Sequence, residues 1–167
     1  SPTAYLAGSG PRAVAAGDLD GDGTPDLVVA NSTGQGMSVL LNFGHRLFAA
    51  PTSYSLFYNV ANDLALGDLD GDGDLDLAVA DTDRALQVLL NQGNGALAPP
   101  VRYEAGAGPR GIALGDLDLD GDLDAILVNN YEASVSALLN QGDGTFLPHV
   151  RHTVGVDPVA VAVEDLD

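Results

Sequence analysis

Apolar residues along this chain fall in short runs that are bounded by glycine, acidic or amide residues. Three runs are continuously apolar, at 27–30, 77–80 and 125–128, which predicts strands that are buried on both faces. No segment has the length and the 3.6-residue period of a helix. The pattern therefore predicts an all-β fold.

Each apolar run belongs to a repeat of four predicted strands. A short strand rich in Ala and Gly precedes it, a third strand ending in Leu-Leu-Asn follows it, and an outer strand, in most copies around a tyrosine, closes the repeat. The first strands are predicted at 13–17, 64–67, 111–115 and 159–163, the third at 37–41, 86–90 and 135–139, and the outer ones at 1–10, 52–60, 101–108 and 150–156. A four-stranded antiparallel sheet repeated about every 49 residues is typical of β-propeller blades.

The strand count predicts about three and a half blades. Complete blades are predicted at 11–59, 60–108 and 109–157, with 1–10 as the last strand of a preceding blade and 158–167 as the first strand of a next one. Three blades cannot close a ring, so we interpret the chain as a segment of a larger propeller. The open edges of its terminal strands are a route to self-association.

The turn between the third and outer strands is also predicted. Asn94-Gly95 and Asp143-Gly144 are the dipeptides of two-residue hairpin turns, in which both residues have positive φ.

The loop between the first and second strands is acidic. In DLDGDGDLD, Asp68, Asp70, Asp72 and Asp76 occupy positions 1, 3, 5 and 9. Carboxylates brought within a few ångströms repel one another by about 1 kcal/mol per pair even in water, so the loop needs a cation. Hard oxygen ligands without Cys or His, together with Gly at position 6, favour Ca²⁺, and Asp74 at position 7 is expected to contribute its backbone carbonyl. An EF-hand is excluded because position 12 is a strand residue, Val79, rather than Glu.

The same loop occurs twice more in phase. The carboxylate ligands predicted there are Asp18, Asp20, Asp22 and Asp26 in the first copy and Asp116, Asp118, Asp120 and Asp124 in the third. Asp165 and Asp167 match only the first two ligands of a fourth loop, where no ion is predicted. We therefore predict three calcium sites.

Composition excludes several classes of function. A formal charge of −18 with only six basic residues, all Arg, excludes a general nucleic-acid role and a polybasic membrane-surface role. No apolar run is long enough to span a bilayer, and the absence of Cys excludes disulfides. Calcium ligation of this kind suits millimolar extracellular calcium, so we expect an extracellular location.

The segments GDLDGDGTPDLVVAN, GDLDGDGDLDLAVAD and GDLDLDGDLDAILVN resemble the FG-GAP or VCBS repeats, the blades of integrin α-subunit propellers and of many bacterial secreted proteins. The resemblance implies a propeller, usually of seven blades, with one Ca²⁺ in each such loop. It also implies carbonyl ligands from Thr24 and Asp122, as from Asp74, and a secreted or surface protein acting in adhesion, carbohydrate binding or protein recognition.

Three functional hypotheses remain open at this stage: a scaffold, a binding module and an accessory domain of an enzyme. In the first, the ions have a structural role alone and hold the strand junctions of a scaffold together. A module that binds a glycan or a protein is suggested by the equivalent Arg12 and Arg110 and by an aromatic series that could equally serve packing. That series consists of Tyr5, Tyr54, Tyr103 and His152.

Catalysis within this chain is not expected. The carboxylates recur in three matching copies, whereas an active site is normally unique, and the three histidines form no recognisable triad with Ser or Cys. The alternative is an accessory propeller domain of a polysaccharide-processing enzyme, a lyase or a hydrolase.

Overall fold

The computed structural model describes residues 4–33, 36–45, 47–58 and 60–164. Within these residues, strands form three four-stranded antiparallel sheets, each with its strands in chain order. We call the sheets blades 1, 2 and 3. The predicted all-β repeat of four strands is confirmed; the lone helical turn of the described residues is a 3₁₀ turn at Asn130–Glu132. No helix in this part of the chain combines the length and hydropathy needed to cross a membrane.

The strands of the three blades have the following bounds. Blade 1 consists of β1 (Ser9–Gly17), β2 (Asp26–Thr33), β3 (Met37–Leu40) and β4 (Thr52–Tyr54); blade 2 of β5 (Ala61–Gly67), β6 (Asp76–Asp81), β7 (Ala85–Leu89) and β8 (Val101–Glu104); and blade 3 of β9 (Pro109–Gly115), β10 (Asp124–Asn129), β11 (Ser134–Leu138) and β12 (Val150–Thr153).

The hydrophobic core lies between the blades. Strand β6 sends Leu77 and Val79 into a cluster shared with blade 1, and Ala78 and Ala80 into a cluster shared with blade 3. Successive residues of a strand point to opposite faces, so an apolar run without alternation serves both neighbours. The predicted burial of the second strands on both faces is confirmed at β6, where all six residues are buried.

The inner strands β1, β5 and β9 pack side by side because each ends in glycine. A Cβ on Gly17 would lie 2.6 Å from Leu75 Cδ1, and one on Gly67 would lie 2.7 Å from Leu123 Cδ1. Real Cβ atoms essentially never come this close, so a residue larger than Gly would require these leucine side chains to move.

The terminal segments differ from expectation. Residues 4–8 and 158–164 form no strand, although the sequence predicted strands of flanking blades there. A strand needs a hydrogen-bonded neighbour, and no partner strand for either segment lies within the described residues. Residues 158–164 nevertheless lie against β9, because a Cβ on Gly115 would meet Val163 Cγ1 at 2.6 Å. Asp165 and Asp167 lie outside the described residues.

The predicted two-residue hairpin turns are wrong in detail. Gly93 and Gly95 have positive φ (76° and 73°), whereas Asn94 is not among the residues with positive φ. The turn closes from Gln92 N to Ala96 O at 2.9 Å, and Asn94 Oδ1 accepts a hydrogen bond from Ala96 N at 3.0 Å. The asparagine thus acts through its side chain, and the two glycines on either side of it supply the left-handed conformation.

Candidate metal centres

Each acidic loop joins the inner strand of a blade to its second strand. The last residue of the inner strand pairs directly with the ninth residue of the loop, as Gly67 does with Asp76. The ladder therefore closes the loop at its base and holds its first and ninth carboxylates at one end of the blade.

The first aspartate organises the loop around its carboxylate. Asp68 Oδ1 accepts a hydrogen bond from Gly71 N at 2.9 Å, and its Oδ2 accepts one from Gly73 N at 3.0 Å. Asp18 and Asp116 accept the corresponding pairs of backbone bonds. The first carboxylate is therefore fixed by its own loop.

Position 4 of the loop requires a left-handed backbone. Gly21 and Gly71 have φ of 75° and 77° there, and Leu119 has φ of 65° with 88% of its surface exposed. A leucine in this region costs roughly 1–2 kcal/mol, and no contact among the described residues explains its presence.

The ninth aspartate is buried and bridges two parts of the blade. Asp76 Oδ2 accepts a hydrogen bond from Leu69 N at 2.9 Å, and its Oδ1 accepts one from Asn91 N at 2.7 Å. Burial raises the pKa of Asp76, and the carboxylates of Asp70 and Asp72 act in the same direction. Asp26 and Asp124 make the equivalent pairs of bonds, to Leu19 N and Asn42 N, and to Leu117 N and Asn140 N.

The carboxylates converge in all three loops. One oxygen from each member lies within 4.8 Å of the others in three sets: Asp18, Asp20 and Asp22; Asp68, Asp70 and Asp76; and Asp116, Asp118 and Asp124. All donors are hard oxygens, which fits a divalent cation of the calcium type. Of the predicted carboxylate ligands, Asp26, Asp72 and Asp120 lie outside these sets. The carbonyl roles of Thr24, Asp74 and Asp122 stay predictions.

The loops carry unfavourable charge. Burial raises the pKa of Asp70, and the carboxylates of Asp72 and Asp68 add to that rise. The pKa values of Asp20, Asp118 and Asp122 are raised by burial and by neighbouring loop carboxylates in the same way. A bound cation would lower these pKa values, because it favours the ionised form of every carboxylate around it.

The first two loops also contact the next blade, which sequence reasoning missed. The Leu19 side chain is fully buried in the core between blades 1 and 2, and its carbonyl accepts a hydrogen bond from Asn91 Nδ2 of blade 2 at 2.8 Å. Leu69 and Asn140 repeat this arrangement between blades 2 and 3, also at 2.8 Å. The signal in the sequence was the asparagine that ends every Leu-Leu-Asn.

The hairpin of the following blade packs beside the loop as well. A Cβ on Gly95 of blade 2 would lie 2.9 Å from Leu41 Cδ2 and 3.6 Å from Asp20 Cβ. Gly144 of blade 3 is placed in the same way beside Leu90 and Asp70. The first two acidic loops therefore lie at blade junctions.

The aromatic residues proposed for recognition mainly pack. Tyr54 OH accepts a hydrogen bond from Leu97 N at 3.3 Å, and Tyr103 stacks edge-on against Phe146 with ring centroids 5.4 Å apart. Tyr5 makes a similar edge-on contact. Because these contacts join successive repeats, they account for the repetition of the tyrosine.

The structure brings Arg12 and Arg110 together. Both line a crevice of about 110 Å³ near the inner strands, together with Asn62 and Tyr131. Arg12 Nη1 donates a hydrogen bond to Asn62 Oδ1 at 2.9 Å. The crevice is smaller than a sugar ring requires, so it is a weak candidate for ligand binding.

A buried carboxylate in blade 2 was also missed. Asp81 is fully buried and accepts hydrogen bonds from Gln87 Nε2 and from Asp83 N, and burial raises its pKa. Asn31 and Asn129 occupy the same register position in blades 1 and 3. The charge is therefore not required by the blade.

Replacing Asp81 with Asn should remove a pH-dependent loss of stability. Because the folded pKa of Asp81 is raised above the unfolded value, its charge destabilises the fold increasingly as pH rises through that window. The asparagine carries no charge, but its amide would lose one of the two hydrogen bonds that Asp81 accepts, from Gln87 Nε2 and from Asp83 N, which costs about 1–3 kcal/mol at every pH. The Tm of the variant minus that of the parent should therefore be more positive at pH 7 than at pH 4. Asp83→Asn, at an exposed neighbour, is the control, and a Tm difference for Asp81→Asn that does not change with pH would contradict the assignment.

Comparison with known proteins places this geometry in context. The sequence model described as "FG-GAP-like repeat" matches residues 18–79 and 68–127, which together cover more than half of the chain. A search of curated protein sequences gave no significant match.

Several solved structures are similar to this chain, including the following two. One, described as a lectin of Agrocybe aegerita that recognises non-reducing terminal N-acetylglucosamine, is 24% identical with a TM-score of 0.60, over 83% of this chain and 37% of that one. The other, a Tc holotoxin pore of Photorhabdus luminescens, is 20% identical with a TM-score of 0.48, over 85% of this chain and 7% of that one. The chain thus spans well under half the length of either.

Proposed function

The chain belongs to the FG-GAP-like repeat family, and from this premise we propose that it is a calcium-binding β-propeller module of a secreted or cell-surface protein, a scaffold for adhesion or for recognition of a glycan or protein. The observation that carries the proposal is the recurrence of three-carboxylate sets in all three blades. Two of those loops are bonded to the following blade through Asn91 and Asn140. An ion that orders such a loop also orders the junction between two blades.

The ligand side of the proposal has separate support. A lectin is among the structures of similar fold, and its description concerns recognition of a sugar. Blade junctions with a fixed geometry are suitable places for ligand pockets, because rigid elements hold the contacting side chains in position. We propose binding without catalysis, since the clustered carboxylates come in matching copies rather than as one unique pair.

We also propose that a further blade covers the face of blade 1 that points away from blade 2. Val14 is 64% exposed there, whereas Leu64 and Ile112 at the same register position of blades 2 and 3 are 7% and 8% exposed. The covering blade would come from a longer propeller, of seven blades as is usual in this family, or from a second copy of the chain.

Calcium titration tests the proposed function. Isothermal titration of the metal-free chain should give three ions per chain, with magnesium binding much more weakly because the flexible oxygen cage does not hold its rigid octahedron. Asp70→Asn should remove one ion, whereas Asp83→Asn, at an exposed aspartate outside the loops, should keep all three. Titration without any calcium binding would refute the proposal.

A further inference from the structure

A cleft opens between the outer strand β8 of blade 2 and the neighbouring part of blade 3. Its polar part has a volume of about 350 Å³, and an adjoining part of about 410 Å³ is lined partly by Tyr103 and Phe146. The charged and titratable side chains of the polar part are Arg84, Arg102, Arg151, Glu104, Glu132 and His149. Half of the six arginines of a chain with a formal charge of −18 therefore line a single cleft.

The arginines are only loosely paired. Arg84 Nη1 and Arg151 Nη1 approach Glu132 at 3.8 Å and 3.6 Å, and Arg102 approaches Glu104 at 3.9 Å. These ion pairs are longer than the roughly 2.7–3.2 Å of an N–H···O hydrogen bond. The guanidinium groups thus keep N–H donors for another acceptor.

Arg102 carries an unsatisfied donor. Its Nη2 donates to the carbonyl of Asp83 at 2.9 Å, but its Nε is buried and has no hydrogen-bond partner among the described residues. Buried polar groups of proteins are nearly always paired, so this N–H needs a partner such as a bound water or a ligand oxygen.

The blade fold does not require these arginines. The same register position on the outer strand holds Ser53 in blade 1, Arg102 in blade 2 and Arg151 in blade 3. Blade 1 thus folds with a serine at the position where the two blades that line the cleft carry arginine.

Arg84 has a similar counterpart in blade 3. Ala133 precedes β11 as Arg84 precedes β7, and both residues have left-handed φ, of 46° and 56°. The alanine shows that the arginine is not needed for this turn, so packing of the repeat does not account for Arg84, and it accounts for Arg102 only through the bond to the Asp83 carbonyl.

We propose that this cleft binds a saccharide that carries a carboxylate, that is, a uronic acid residue. The inference deepens the proposed recognition function and rests on it. The carboxylate would accept hydrogen bonds from Arg102 and Arg151, while sugar hydroxyls would donate to Glu104 and Glu132. A neutral sugar would leave the guanidinium groups without an anionic acceptor, and an acidic peptide would repel the two glutamates without the many hydroxyl donors of a sugar.

The test uses trigalacturonate as the probe and the full chain at fixed free calcium. Isothermal titration should show that the chain binds trigalacturonate. Its affinity for the fully methyl-esterified trisaccharide, which has the same rings without the charge, should be at least tenfold lower. Arg102→Ser, which places the blade 1 residue in blade 2, should lower the affinity for trigalacturonate at least tenfold. Arg84→Ala should lower that affinity by a smaller factor. Arg12→Ala, at an arginine outside the cleft, should leave the affinity unchanged.

The outcomes separate this inference from the proposed function. No binding of trigalacturonate at millimolar concentration, or equal binding of the methyl ester, would overturn the acidic-sugar site. Equal affinity of the parent and a folded Arg102→Ser variant would overturn it too, with folding judged by an unchanged calcium-dependent Tm. If calcium raises Tm while trigalacturonate fails to bind, only the cleft assignment falls; if calcium has no effect on Tm, the proposed function falls whatever the sugar does.

Discussion

Chelation of calcium should lower the unfolding midpoint of this chain by about 10 °C or more. A ligand that binds only the folded state at one hundred times its Kd contributes about 2.7 kcal/mol per site. A change of 1 kcal/mol moves the midpoint of a domain of this size by roughly 2–4 °C, so even one site would produce about 5–10 °C, and three would produce more. The measurement is a thermal melt in millimolar calcium and in excess EGTA.

The matched control for this melt is a chain with one conservative change in each loop. Combining Asp20→Asn, Asp70→Asn and Asp118→Asn removes one carboxylate from every three-carboxylate set without changing side-chain size. Its melting curve should respond little to EGTA, and in EGTA it should melt at or above the parent because carboxylate repulsion is reduced. A parent whose midpoint is the same with and without calcium would contradict the assignment of the loops.

The position of the loops explains why the effect should extend through the whole chain. Leu19 and Leu69 project from the loops into the cores between blades, and the carbonyls of the same residues bind the asparagines of the following blade. If a loop loses its fixed shape, both the apolar contact and the hydrogen bond are lost. We therefore expect the blades to unfold together in calcium and less cooperatively without it.

The parts of the fold that repeat in phase could be predicted from sequence. The apolar run of β6 and the aspartates at Asp68, Asp70 and Asp76 depend only on local spacing. The strand is buried on both faces, and the three aspartates have carboxylate oxygens within 4.8 Å of one another. The strand periodicity and the four-strand repeat likewise depend on neighbours within one blade. Such local features are visible in the sequence because the same residue pattern recurs in each repeat.

Contacts between repeats could not be predicted, because they depend on how one blade is rotated against the next. The bond from Asn91 to Leu19 joins residues 72 positions apart, and nothing in either residue type specifies the partner. The cleft around Arg102 and Arg151 has the same origin. In the hairpin at Asn94 the sequence indicated a turn, but its conformation follows from the hydrogen bond of the asparagine side chain together with the left-handed glycines on either side of it.

Replacing Asp76 with Ala should destabilise the chain even in the absence of calcium. Its two oxygens satisfy the buried N–H groups of Leu69 and Asn91, and leaving a buried donor unpaired costs about 1–3 kcal/mol for each group. We therefore expect a loss of about 2–6 kcal/mol in EGTA, measured by urea denaturation. In calcium the loss should be larger, because Asp76 also belongs to the three-carboxylate set of its loop.

Asp72→Asn separates the two roles of the loop aspartates. Asp72 is exposed and its Oδ1 accepts a hydrogen bond from Asp74 N at 2.9 Å, which an asparagine oxygen can also do. In EGTA this variant should therefore be at least as stable as the parent, and any loss of stability should appear only in calcium, as expected if Asp72 is a ligand. If Asp76→Ala behaved like Asp72→Asn in EGTA, the buried carboxylate would be a metal ligand alone, and its hydrogen bonds to the loop and to Asn91 would contribute nothing to holding the blade together.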